Sequence, residues 1–291
     1  MFIEVLIVGV MVGAIYTLVT IGYSMVYGML KLMNFAHGDV YIFGTLLCYA
    51  LIAKQGLHPL VAVLLAAAAG GVLASLVEFF CYRRLRAAQH RMISMITALG
   101  AAYIIQNISE LRWGNQVLPF PSLFPGQFIH VLGHEISVTH IITLAVAVFF
   151  IIAFNLFLKY HKLGKAILCV SEDIPTASLM GIPINRTISV VYFLGGIFGV
   201  LGGVLYSSSY SAISLGMGFR GTIVAFTAAV IGGIGSMSGA LIGGMILGIS
   251  ENIISVYVSS SYRDPITFLI LIFILLIKPS GIMGSSEQGK V

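Results

Sequence analysis

Asn34, His37 and Asp39 fall within six positions of one another, in the run Met33-Asn34-Phe35-Ala36-His37-Gly38-Asp39. An amide, an imidazole and a carboxylate can between them donate and accept hydrogen bonds to a polar solute. The sequence on both sides is apolar, and polar groups in such a setting are expensive in lipid and mark functional sites by default. Gly38 permits close backbone approach or a break. Two readings stand. The run is a polar turn, with Asn34 capping the next helix and Asp39 favouring its positive end. Alternatively, Asn34, Phe35, His37, Gly38 and Asp39 line a solute pathway.

Two further segments carry information. The run Ile96-Thr97-Ala98-Leu99-Gly100 is followed by Gln106-Asn107. Thr97 and Gly100 lie three apart on one helical face, where small or hydroxylated residues let helices approach closely. Thr97, Gly100 and Gln106 either bond neighbouring helices or line the pathway. The second segment is Leu163–Arg186. Its basic approach (Lys159, Lys162, Lys165) leads to Ser171-Glu172-Asp173, then Pro175, then Ala177-Ser178-Leu179-Met180-Gly181-Ile182-Pro183. Ser171 or Asp173 can cap a helix whose first turn accepts Pro175, and Gly181 and Pro183 suit its end. This predicts a short capped helix, with Ala177, Leu179, Met180 and Ile182 as its apolar contacts. Such a helix suits docking of a soluble partner; a solvated loop is the plainer alternative.

Nothing in the sequence signals catalysis. The seven histidines are scattered, and no HExxH, GxSxG or Walker A pattern occurs. The three cysteines suit neither a disulfide framework nor a zinc site. No catalytic residue, metal or cofactor is expected.

The elements that hold these residues follow from composition. Of 291 residues, 59% are hydrophobic and 9% charged, against about 25% charged in a soluble domain. A soluble fold of this composition would expose large apolar patches. About 172 apolar residues (0.59 × 291) allow roughly eight spans of ~20 residues. Soluble enzymes, nucleic-acid binders and secreted disulfide scaffolds are excluded. The N-terminus lacks a charged leader and a small-residue cleavage site, so Met1–Tyr27 is expected to be a retained span.

Charge-free runs mark the spans: Val5–Leu30, Val40–Ala53, Gln55–Val77, Met92–Ser109, Ile136–Leu158, Thr187–Phe219, Gly221–Ser250 and Pro265–Ile277. In lipid these must be helices. Residues 112–135 hold Pro119, Pro121 and Pro125 and read as a loop outside the membrane; residues 159–186 read as a cytoplasmic loop. With Cys81–Arg91 inside, eleven Lys and Arg fall inside (31, 83, 84, 86, 91, 159, 162, 165, 186, 278, 290) and four outside (54, 112, 220, 263). The positive-inside rule then puts the N-terminus outside and the C-terminus in the cytoplasm.

Gly221–Ser250 is too long for one span and too short for two. Its middle, Gly232-Gly233-Ile234-Gly235-Ser236-Met237-Ser238-Gly239, is a helix breaker. A broken or re-entrant helix pair with a glycine turn at depth is expected. Gly232, Gly233 and Gly235 are pathway candidates there, because irregular backbone at depth is tolerated only beside protein or a watery cavity. Gly70-Gly71 before Glu78 matches Gly243-Gly244 before Glu251, and Phe35…Gly38 is set beside Phe219…Gly221. The sidedness makes these copies inverted, as in many transporters. Glu78 and Glu251 read as charges at span ends. The fold class is therefore an all-α polytopic membrane protein, with a candidate inverted repeat in one domain over 1–291.

These segments, together with Ala225-Phe226-Thr227-Ala228-Ala229-Val230-Ile231-Gly232-Gly233-Ile234-Gly235-Ser236, resemble the permease subunit of branched-chain amino-acid ABC importers. The run Asn34-Phe35-Ala36-His37-Gly38 is similar to that family's N-F-A-H-G segment, with Asp39 at its acidic position. The resemblance implies a passage for hydrophobic amino acids in the bacterial inner membrane. It implies a paralogous second permease, two cytoplasmic ATP-binding subunits that perform the hydrolysis, and an extracytoplasmic substrate-binding protein. Glu172, Asp173, Ala177, Ser178, Leu179, Gly181 and Ile182 would form the helix that couples to the ATPase. Relatives for urea or short amides share much of the pattern. An ion-coupled secondary transporter, with Asp39, Glu78 and Glu251 as carriers, is the rival from another class.

Overall fold

The computed structural model describes residues 2–85, 91–123, 128–131, 134–278 and 280–283. Arg86, Pro125 and Lys290, used above to place loops, lie outside the described residues.

Helices dominate. In order they are α1 (Phe2–Leu30), α2 (His37–Ala53), α3 (Pro59–Val77), α4 (Arg91–Trp113), α5 (Val138–Tyr160), α6 (Lys162–Glu172), α7 (Ile174–Leu179), α8 (Ile184–Tyr210), α9 (Gly216–Gly232), α10 (Met237–Tyr257) and α11 (Arg263–Ile277). A π-helical stretch, Glu78–Arg83, prolongs α3, and a 3-10 turn, Ser260–Tyr262, precedes α11. Among the described residues, seven helices are long and apolar enough to cross a membrane; α2 and α9 are shorter apolar helices of 17 residues each. Between α4 and α5 the chain forms β1 (Leu118–Pro119), β2 (Phe128–Val131) and β3 (His134–Ser137). β2 pairs antiparallel with β3, and β1 pairs with β4 (Ala212–Ile213), just after α8.

The charge-free run Thr187–Phe219 is not one helix. α8 stops at Tyr210, where Ser211 takes a left-handed conformation (φ 52). Its counterpart is Lys31 (φ 53), immediately after α1. Both residues are followed by a few non-helical positions and then a 17-residue helix, α2 or α9.

These paired features expose an inverted repeat. α1 and α8 run antiparallel: Gly22 abuts Gly195, Val19 abuts Gly202, and the rings of Tyr16 and Tyr206 stack. α3 packs on α8 as α10 packs on α1; α2 lies on α8 as α9 lies on α1. Gly38 of α2 and Gly218 of α9 meet backbone to backbone. Lys31 to Ser211 and Gly38 to Gly218 are equal shifts (211 − 31 and 218 − 38, both 180). This register differs from the one expected from sequence. Gly38 pairs with Gly218 and not Gly221. Gly71 abuts Phe193, and the matching position in α1, Gly13, meets Gly244, Met245 and Gly248 of α10.

The core is α1, α8, α9 and α10. Twenty of the 29 residues of α1 are buried. Lipid tails are as apolar as leucine, so helices associate through close packing at small residues. The contacts Gly22–Gly195, Gly70–Gly196 and Gly13–Gly248 fit that requirement. α4, α5 and α11 are peripheral and expose rows of large apolar side chains.

Candidate functional site

The Asn34–Asp39 run sits inside the bundle. His37 is 3% exposed and lies against Gly199, near the midpoint of α8. The chain leaves α1 at Leu30, climbs through six irregular residues and begins α2 part-way through the bundle. Asn34 does not cap α2; Ala36 holds that position. The Asn34 side chain instead accepts a bond from Ala36 N at 3.2 Å, and the Met33 carbonyl accepts one from Tyr82 OH at 3.1 Å. Gly38 N donates to Thr222 Oγ1 at 2.9 Å. A Cβ on Gly38 would overlap the Gly218 carbonyl and the Thr222 hydroxyl. Tyr23 meets the His37 ring edge-on at 5.7 Å. His37 Nε2 is buried and has no partner among the described residues. A buried polar atom left unpaired costs free energy, which marks this ring nitrogen as a candidate anchor. Phe35 and Asp39 are half-buried beside it.

The other pathway candidates are not gathered here. Thr97 bonds the Cys81 carbonyl at 3.2 Å and its own helix. Gly100 is exposed and nothing lies within 4 Å of where its Cβ would be, so it brings no helix close within this chain. Gln106 is half-buried on the same peripheral helix. Gly232, Gly233 and Gly235 form the turn between α9 and α10. Gly233 (φ 106) and Gly235 (φ 84) require conformations that other residues resist. The turn lies at the α1 C-terminal end of the bundle, with Gly235 N bonded to Ser24 Oγ at 3.0 Å and packed on Gly28.

Two buried ion pairs escaped the sequence reading, which placed both carboxylates at span ends. Glu78 is fully buried, accepts from Arg83 Nε and Nη2 at 3.3 and 2.9 Å, and accepts from Ser189 Oγ at 2.8 Å. Glu251, 1% exposed, accepts Tyr16 OH (2.7 Å), Arg220 (3.1 Å) and Thr267 Oγ1 (2.5 Å). Arg220 also donates to Asp264 Oδ1 at 2.6 Å and to Tyr206 OH at 3.1 Å. One guanidinium thus ties α8, α9, α10 and α11 together. The available signal was Arg220 itself, a single charge between two long charge-free runs.

α6 and α7 bridge α5 and α8. Asp173 caps α7, its side chain accepting Thr176 N at 2.6 Å. The Thr176 bonds hold the Asp173 carboxyl below its ordinary pKa. A depressed carboxylate contributes stability above its unfolded pKa and loses it as pH falls through the lowered value. Gly181 (φ 78) ends the helix, and Ile182 N returns to the Ala177 carbonyl at 3.1 Å. Ala177 is buried and Ile182 packs against the core. Leu179 and Met180 point away, 88% and 78% exposed, while Glu172 and Ser178 are also exposed. So only two of the four expected apolar contacts are spent inside this chain.

A short, capped turn thus presents two large apolar side chains beside an apolar bundle with an internal repeat. Residues 5–277 match the family described as branched-chain amino acid transport system, permease component. The chain belongs to this permease family. It is 38% identical to the high-affinity branched-chain amino acid transport system permease protein LivH of Escherichia coli K12, over 100% of this chain and 98% of that one. It is 35% identical to BraD, the corresponding permease protein of Pseudomonas aeruginosa, with the same coverage. The solved structure of PsaBC from Streptococcus pneumoniae in complex with Fab shares the permease's fold, with a TM-score of 0.54, 15% identity, and coverage of 95% of this chain and 91% of that one.

Proposed function

We propose that this permease forms part of the membrane passage of an ATP-driven importer for branched-chain and other hydrophobic amino acids. The full-length match to LivH and BraD carries the reading. The interior supports it: a largely uncharged bundle with a few polar anchors suits a solute with an apolar side chain. His37, with a free ring nitrogen beside Asn34, Phe35, Gly38 and Asp39, is the central anchor.

No nucleotide-binding motif occurs in the chain, so the energy comes from ATP-binding subunits. α7 is their docking element, and Leu179 and Met180 fill a groove on them. The α7 end then faces the cytoplasm, which agrees with the concentration of Lys and Arg at that end. A substrate-binding protein delivers at the opposite end, and a second, paralogous permease completes the passage in the inner membrane. The ion-coupled rival loses support from the two arginines. Glu78 and Glu251 are held by Arg83 and Arg220 and are not free carriers.

The test is uptake of labelled leucine by proteoliposomes containing the assembled complex. ATP-dependent uptake, competed by isoleucine and valine and not by urea or acetamide, is expected. Uptake that persists without ATP under an ion gradient would sink the proposal.

A further inference from the structure

Beside Arg220 the surface opens into a cleft of ≈ 260 Å³ between α9 and α11, lined by Phe219, Arg220, Ile223, Asp264, Thr267 and Phe268 among others. It lies at the end of the bundle away from α7. Its walls are apolar and its charges are balanced. A guanidinium has five N–H donors, of which Asp264, Tyr206 and Glu251 occupy three. Two donors remain. Asp264 gives one oxygen to Arg220 and is 62% exposed, so solvent and solutes reach its carboxylate. Glu251, by contrast, spends both oxygens on Tyr16, Arg220 and Thr267 and serves to aim the guanidinium. One cationic and one anionic group therefore stand side by side at the edge of an apolar cleft.

We infer that this cleft is a receiving site for a zwitterionic apolar amino acid, with the carboxylate on Arg220, the ammonium on Asp264 and the side chain among Phe219, Ile223 and Phe268. The inference rests on the proposed function and gives that function a named point of entry. A simple cation or anion gains little there, because the opposite charge stands beside its partner. A free acid or amine of the same shape satisfies only one of the two groups and leaves the other unpaired, which a polar site penalises.

The decisive experiment uses the assembled complex in proteoliposomes with a diazirine analogue of leucine. Irradiation during turnover, followed by peptide mass spectrometry, is expected to place label on the α9 and α11 peptides containing Ile223 and Phe268. Label confined to other helices overturns the inference. Two variants keep the test independent of labelling. Ile223→Trp fills the cleft and is expected to lower leucine uptake about tenfold or more while the partner subunits still co-purify. Phe268→Ala, at a site already 44% exposed, is expected to raise phenylalanine uptake relative to leucine several-fold. Unchanged uptake and unchanged selectivity in both variants overturn the site. Wild-type liposomes that take up no leucine would instead overturn the functional reading beneath it.

Discussion

At the residue scale, the structure separates glycines that matter from glycines that do not. Gly38 has the backbone of α9 where a Cβ would go; Gly100 has open space. Gly38→Ala is expected to destabilise the protein by about 1–3 kcal/mol through overpacking, read as a lower melting temperature in detergent. Gly100→Ala is expected to leave melting unchanged. Equal melting temperatures for the two variants would show that α2 and α9 do not meet as described. Glu251 is the other single-residue test. Glu251→Ala leaves a largely buried Arg220 without its aimed partner, a loss on the order of 3 kcal/mol. The same substitution with Arg220→Met should recover part of it, measured as a double-mutant cycle of thermal unfolding. Additive losses would mean the pair contributes nothing as a pair. The sequence concealed these carboxylates because burial of a charge depends on partners far away: Tyr16 and Glu251 are 235 positions apart.

At the element scale, α7 is stable in itself and incomplete in its contacts. Its cap, its proline and its glycine stop are local features, so spacing alone predicted it. What spacing could not reveal was how its apolar residues divide, Ala177 and Ile182 inward, Leu179 and Met180 outward. Leu179→Glu is therefore expected to leave melting unchanged and to reduce ATP-driven uptake about tenfold or more, as loss of an interface anchor does. Normal uptake would remove α7 as the docking element. Gly181→Val forces a branched residue to φ 78, a strain of roughly 1–2 kcal/mol, and is expected to weaken the same coupling. The helix termini obey a different rule. Charge-free runs located the apolar helices, yet no charge marks the end of α8. A left-handed serine ends it, and nothing about Ser211 in sequence distinguishes it from Ser207–Ser209.

At the scale of the whole molecule, the repeat sets the architecture and the sidedness gives its test. Cys169 lies exposed on α6, whereas Cys48 and Cys81 are buried. A membrane-impermeant maleimide is expected to label Cys169 in inside-out vesicles and not in intact spheroplasts. Gln55→Cys, in the exposed turn between α2 and α3, is expected to show the reverse. The opposite pattern would invert the orientation read from the basic residues. The repeat is legible in sequence only in outline, through its glycine pairs, because glycine pairs recur throughout this chain and backbone contacts such as Gly38–Gly218 are needed to fix its register. Its last detail concerns the far end of α9. The carbonyls of Ile231 and Gly232 accept from the main-chain N–H of Ile282 and Met283, at 2.9 and 2.8 Å. Those donors leave the ribosome some fifty residues after the helix they complete. The last turn of α9 is therefore completed only once that distant stretch of chain has been made.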